Sequence, residues 1–327
     1  MSGSAVGVIA MKIPVTVLTG YLGAGKTTLL RRMLTAPGGR RYAVIVNEFA
    51  ELGIDSELIE NRDEQVIQLS NGCLCCSVRG DLLHSLEILL EKGGFDALVI
   101  ETTGLANPAP IAQTFMLDDD LNDDLVLDSV VCVVDGAHIE SYWKRHPEIV
   151  QQLAFADTVL LNKVETLTGS QADAVEGLLR RLSPQAEHFR TRHCDLDVSI
   201  LTGRGSFTLE TLRLENGGQS KPILLHRHDD EVVSVSLTTE KEVVPDRFMG
   251  FIQTLQREYG EDLLRYKGIL AFTNEPRRFV FQGVQAMADG DVQRLWADGE
   301  PRVSKLVFIG RNLESEALRS SFEACLR

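Results

Sequence analysis

Short, almost continuously apolar runs punctuate the first two thirds of the chain: Ile13–Leu18, Tyr42–Val46, Val66–Leu69, Ala97–Ile100, Ser129–Val134 and Thr158–Leu161. Runs of this length, rich in β-branched residues and without polar alternation, predict strands buried on both faces. Between them, Thr27–Leu34, Asp81–Leu90 and His146–Phe155 carry apolar residues at helical spacing. Strand–helix alternation predicts an α/β fold, a largely parallel sheet with helices on both faces. The rhythm changes after a stretch rich in Gly, Ser and Thr, Gly203–Lys221, which ends before Pro222. Beyond it Val232–Leu237 alternates like a strand, and Pro245–Tyr259 reads as a helix with Pro near its start. Ile269–Thr273, Arg278–Gln282 and Leu306–Ile309 read as strands and Leu313–Cys325 as a closing helix. The expected organisation is an α/β domain over 12–205, a linker over 206–230 and a smaller α+β domain over 231–327.

At 327 residues the chain has room for two domains of ordinary size. With 44% hydrophobic and 24% charged residues it has enough apolar surface to fold. No apolar run is long enough to span a bilayer, and Ala5–Met11 is too short and too poor in basic residues to read as a secretory signal. A cytoplasmic protein is therefore expected. Forty-seven acidic residues against 33 basic ones give a net charge of −14, which repels phosphate backbones, so nucleic acid is not an expected partner.

Three features carry chemistry. First, Gly20-Tyr21-Leu22-Gly23-Ala24-Gly25-Lys26-Thr27 fits G-x-x-x-x-G-K-[ST], between an apolar strand and an apolar-periodic helix. Glycines let backbone N–H groups curl around phosphate oxygens, and the helix N-terminus attracts the anion. Lys26 can reach the β- and γ-phosphates, while the Thr27 hydroxyl can ligate Mg²⁺. Thr28 follows on the same helix. Glu101 ends the strand Ala97–Ile100, where a carboxylate can hold Mg²⁺ or orient water, and the Gly104 N–H can meet a γ-phosphate.

Second, Asn162-Lys163-Val164-Glu165 follows the strand Thr158–Leu161. A carboxylate can accept from both N1–H and N2–H₂ of guanine. Glu165 stands where guanine-specific proteins place Asp, so it keeps the pairing and lengthens the reach. Asn162 would brace the loop and the Lys163 stem would cover the base. GTP is the expected nucleotide.

Third, Cys73, Cys75 and Cys76 crowd into four positions beside Gly72. In a reducing compartment clustered thiols read as metal-binding or redox-active, and thiolates favour Zn²⁺ or another soft ion. Buried structural thiols and a redox pair remain alternatives on spacing alone. Glu48, Glu51 and Asp55 are candidate further ligands. His226 and His228 form a weaker pair in a polar stretch.

Taken together, Gly20–Thr28 (GYLGAGKTT), Asn47–Gly53 (NEFAELG), Gly72–Cys76 (GCLCC), Glu101–Ala106 (ETTGLA) and Asn162–Glu165 (NKVE) resemble the CobW-type GTPases, relatives of the urease and hydrogenase nickel-insertion GTPases. Leu264–Leu270, Phe281–Val284 and Lys305–Arg311 resemble that family's C-terminal domain. The resemblance implies a slow Mg²⁺-dependent GTPase that carries a transition metal, zinc or in some members cobalt, to a metal-requiring client protein. It assigns the metal-binding thiols to Cys73, Cys75 and Cys76 and a switch segment to Asn47–Asp55. Three departures stand out: Glu165 for Asp, Ala50 where Phe-Gly is usual, and two linker histidines instead of a long His-rich run. A regulatory switch with a structural metal and a P-loop small-molecule kinase are the competing classes. The sequence leaves open whether two copies associate.

Overall fold

The computed structural model describes residues 12–36, 40–46, 65–68, 78–118, 121–203, 232–297 and 299–327. Cys73, Cys75, Cys76, Glu48, Glu51, Asp55, His226 and His228, with the expected switch segment and linker, lie outside the described residues.

The larger sheet has seven strands, all parallel: β1 (Ile13–Thr19), β2 (Tyr42–Val46), β3 (Gln65–Gln68), β4 (Ala97–Glu101), β5 (Leu125–Asp135), β6 (Thr158–Asn162) and β7 (Glu187–Arg190). They lie in the order β3-β2-β4-β1-β5-β6-β7. The apolar runs become strands because both faces are covered: β2, β4 and β6 are buried at every position. The covering helices are α1 (Lys26–Thr35), α2 (Val78–Lys92), α3 (Ala109–Leu117), α4 (Pro147–Phe155) and α5 (Gly169–Leu182). Helix α5 opens on a capping box, in which Thr168 accepts from the Gln171 backbone and Gln171 returns the bond to Thr168 N–H.

The second sheet is five-stranded and antiparallel, ordered β11-β10-β9-β12-β8 from β8 (Val232–Thr239), β9 (Leu263–Leu270), β10 (Arg277–Val284), β11 (Met287–Leu295) and β12 (Ser304–Arg311). Helices α6 (Pro245–Tyr259) and α7 (Ser315–Glu323) complete it, with Phe248, Phe251, Phe281, Phe308 and Phe322 in one aromatic core. The order is β-α-β-β-β-β-α, one strand more than the sequence predicts. The additional strand, β11, is mostly polar and exposed, so no apolar alternation betrays it. Strand β9 runs from Leu263 to Leu270, starting six residues before the predicted Ile269 and ending three before Thr273; its buried Arg265 and Lys267 interrupt the apolar pattern that would have marked the start.

Those two charges lie where the sheets meet. Asp157, just before β6, bonds Arg265 at 2.7 Å and lies 3.6 Å from the Lys267 ammonium. Its other oxygen accepts from Val130 N–H at 2.9 Å. The Arg265 guanidinium also donates to the Phe155 carbonyl at the end of α4. Around this pair Leu264, Val284 and Ile309 join the same apolar cluster as Val15, Ile100 and Phe155 of the large sheet. Among the described residues no helix is long and apolar enough to cross a membrane.

Candidate functional site

A parallel sheet points all its carboxyl ends to one edge, and loops gather there. Strand β1 lies between β4 and β5, with Leu18 in register with Glu101 and Thr19 with Cys132. The phosphate loop therefore leaves β1 beside the acidic end of β4. Two glycines set its path. At Gly20, φ is +139° and a Cβ would stand 2.2 Å from the Val133 carbonyl oxygen; at Gly25, φ is +114° and a Cβ would stand 2.6 Å from Asn162 Nδ2. Only glycine fits either position.

Lys26 is buried, and its ammonium donates to the Gly20 carbonyl at 2.9 Å, folding back across the loop it terminates. Thr27 Oγ1 donates to Glu101 Oε1 at 3.4 Å. A hydroxyl and a buried carboxylate thus converge at the start of α1, a hard-oxygen pair that fits Mg²⁺ beside bound phosphates. Gly104 presses against the loop from the other side. A Cβ on it would meet the Leu22 side chain at 2.5 Å and the Leu22 nitrogen at 2.7 Å. Gly23 and Thr28 are exposed, and Ala24 is buried.

The loop after β6 is tied directly to the phosphate loop. Asn162 Nδ2 donates to the Ala24 carbonyl at 3.0 Å, while its Oδ1 accepts from Cys194 N–H at 2.9 Å and Thr191 Oγ1 at 3.2 Å. Lys163, next to Asn162 in the chain, and His193 and Cys194, the latter bonded to its Oδ1, all adopt positive φ. Lys163 Nζ binds Asp135 Oδ2 at 2.7 Å, and His138 binds the same oxygen at 3.1 Å. Burial acts to raise the Asp135 carboxyl, but the bonds from Lys163 and His138 outweigh it and hold it below its ordinary value. Glu165 follows in the same loop, its Oε1 3.6 Å from His193 Nε2.

The sequence offers no sign of three further contributors: Asp135, Cys194 and Gln152. Gln152 is buried on α4 and donates to the carbonyls of Gly104 and Ala106 at 3.0 and 3.2 Å. The Cys194 thiol lies 3.4 Å from the Gly25 carbonyl, and burial pushes it up to about 11. Cys132 is pushed up to about 12, again by burial. In both, burial disfavours the thiolate, the form that binds metal. Among the described residues no group of three or more His, Cys, Asp or Glu could hold a metal ion.

The profile of the family described as "CobW/HypB/UreG, nucleotide-binding domain" matches residues 14–190. The chain belongs to this family of P-loop GTPases. A second profile, "Cobalamin synthesis protein cobW C-terminal domain", matches residues 232–326. The CobW/HypB/UreG chain is 38% identical to the zinc chaperone YjiA of Escherichia coli over 317 residues, covering 95% of this chain and 98% of that one. It is 32% identical to the zinc-regulated GTPase metalloprotein activator 1 of Schizosaccharomyces pombe, covering 92% of this chain and 83% of the relative. A crystal structure of Zn(II)-bound YjiA GTPase from E. coli superposes with a TM-score of 0.77 at 32% identity, covering 97% of this chain and all of that one.

Proposed function

We propose that this CobW/HypB/UreG protein is a GTP-hydrolysing metallochaperone that binds zinc at Cys73, Cys75 and Cys76 and hands it to a metal-requiring client under nucleotide control. The observation that carries the reading is the polarity of the large sheet. The chain leaves β3 at Gln68, on the edge where β1 leads into the phosphate loop and β4 ends at Glu101, with only β2 between β3 and β4. The cysteine segment is five residues further on. The relatives named as zinc chaperones support zinc over cobalt as the cargo. The proposed division is a GTPase domain over 12–205, a linker over 206–230 and a C-terminal α+β domain over 231–327.

In this mechanism the loop Gly20–Thr28 holds the triphosphate, with Asn162, Lys163 and Glu165 around guanine. Lys26 leaves the Gly20 carbonyl for the β- and γ-phosphates, neutralising charge that grows as the terminal phosphoryl departs. Thr27 and Glu101 would hold Mg²⁺, which neutralises phosphate charge when bound. Gly104 N–H senses the γ-phosphate. Glu48 and Glu51 are proposed to complete the cargo site from the switch segment Asn47–Asp55. GTP orders that segment and hydrolysis releases it, so metal affinity follows nucleotide state. A tenfold gating needs about 1.4 kcal/mol of coupling, and by linkage zinc must tighten GTP binding by the same factor.

The test is metal transfer. Zn²⁺-loaded protein is given Mg²⁺–GTP, GDP or a non-hydrolysable GTP analogue, and loss of zinc to a weak chelator is followed. Faster loss with hydrolysable GTP than with the analogue is expected. Cys75→Ser should empty the site while the protein stays folded. Identical zinc affinity in every nucleotide state would refute the gating.

A further inference from the structure

We infer that Gln152 is a positioning residue for GTP hydrolysis, and that through α4 it ties the turn around Gly104 to the second sheet. The inference rests on the reading of Gly104 as the γ-phosphate sensor. A single side-chain amide donates to two carbonyls, Gly104 at 3.0 Å and Ala106 at 3.2 Å, on either side of the exposed Leu105. Gly104 is meanwhile packed so tightly on Leu22 of the phosphate loop that no Cβ would fit. The turn is thus clasped between the phosphate loop and Gln152, a buried polar group whose Oε1 finds no hydrogen-bond partner among the described residues. A buried amide that spends both its protons on one turn fixes where that turn rests.

The helix carrying Gln152 is held one turn further on, at its C-terminal end. Phe155 O accepts from Arg265, and Asp157, two residues later, binds the same guanidinium at 2.7 Å. A second link leaves the turn along the chain. Helix α3 starts at Ala109, and its Gln113 donates to Gln285 Oε1, in the β10–β11 turn, at 2.7 Å. Any displacement of Gly104 toward a γ-phosphate must therefore stretch the Gln152 bonds or drag α4 and α3 against the second sheet. The second sheet becomes a reporter of nucleotide state and a support for the catalytic turn.

The full-length wild type, Gln152→Leu and Gln152→Glu are compared. Hydrolysis of Mg²⁺–GTP is measured for kcat and KM, GDP affinity by calorimetry, and amide exchange over residues 281–287 with GDP and with a non-hydrolysable GTP analogue. Gln152→Glu keeps the shape and puts a carboxylate against two carbonyls, so it serves where Gln152→Leu fails to fold. Both variants should lose roughly tenfold or more in kcat, with GDP affinity held within about twofold. Wild-type exchange over 281–287 should differ between the two nucleotides, and the variants should erase the difference. Unchanged kcat, a parallel fall in GDP affinity, nucleotide-independent exchange in the wild type, or a difference retained in the variants would each overturn the inference. Lys26→Ala is the control on the site itself. If it still turns over, the phosphate-loop reading fails; if it is dead while Gln152→Leu behaves as wild type, only the present inference falls.

Discussion

The carboxamide of Asn162 reaches across to the Ala24 carbonyl at 3.0 Å, so the loop after β6 and the phosphate loop are one hydrogen-bonded unit. Its Oδ1 simultaneously fixes Thr191 and Cys194. Asn162→Ala leaves Cys194 N–H without its acceptor, and each orphaned buried group costs about 1–3 kcal/mol. We expect at least a tenfold loss in GDP affinity by calorimetry, roughly the effect of one such bond, with a lower melting temperature. Wild-type affinity in Asn162→Ala would break the proposed unit.

Glu165 is the residue we propose to set base choice. Replacing its carboxylate by an amide in Glu165→Gln removes the acceptor for one of guanine's two donors. GTP binding should weaken by roughly a hundredfold, about 3 kcal/mol for a bond to a charged group, while ATP binding stays as it was. Competition titrations with both nucleotides read this directly. Equal effects on GTP and ATP would remove Glu165 from the base site.

Asp157 is buried with Arg265, each side chain 2% exposed. Breaking one side of such a pair strands a charge, so Asp157→Ala should destabilise by about 3–5 kcal/mol. Urea unfolding should show both sheets losing stability together, because residues of both share one apolar cluster around this pair. Two separate transitions, only one of them shifted, would argue against a shared core.

Lys267 gives a pH signature. Burial first, and Arg265 next, lower its ammonium from the ordinary 10.5 to about 8, against the pull of Asp157. Between those values the unfolded chain keeps the proton and the folded chain has lost it. This group's contribution to stability therefore rises with pH across about 8 to 10.5, and its cost is full below 8. Lys267→Met should be more stable than wild type at pH 7, and the gap should narrow as pH climbs to 10. Denaturation at several pH values measures it; a gap that widened would contradict the burial cost.

The parts of this molecule legible in the sequence are those governed by local rules. Tyr42–Val46 and Pro245–Tyr259 occur with the bounds the pattern gives, and Ile13–Leu18, Ala97–Ile100, Ser129–Val134 and Thr158–Leu161 extend by one to four residues at an end. The phosphate loop is legible because backbone curvature demands glycine at fixed spacing. What hid itself depends on distant partners. Strand β7, Glu-His-Phe-Arg, is a polar edge strand that lacks an apolar signature. Strand β9 conceals two charges whose counter-ion is more than a hundred residues away. Gln152 looks like any helical glutamine until Gly104 and Ala106 are placed beside it.

The seam between the sheets also limits how such proteins can be recombined. A chimaera that joined this nucleotide-binding half to a foreign C-terminal half would leave the buried Asp157 side chain without its ionic partner unless the graft brought its own cation to the place of Arg265. The two halves are thus matched like a plug and its socket, and exchanging one obliges the other to change with it.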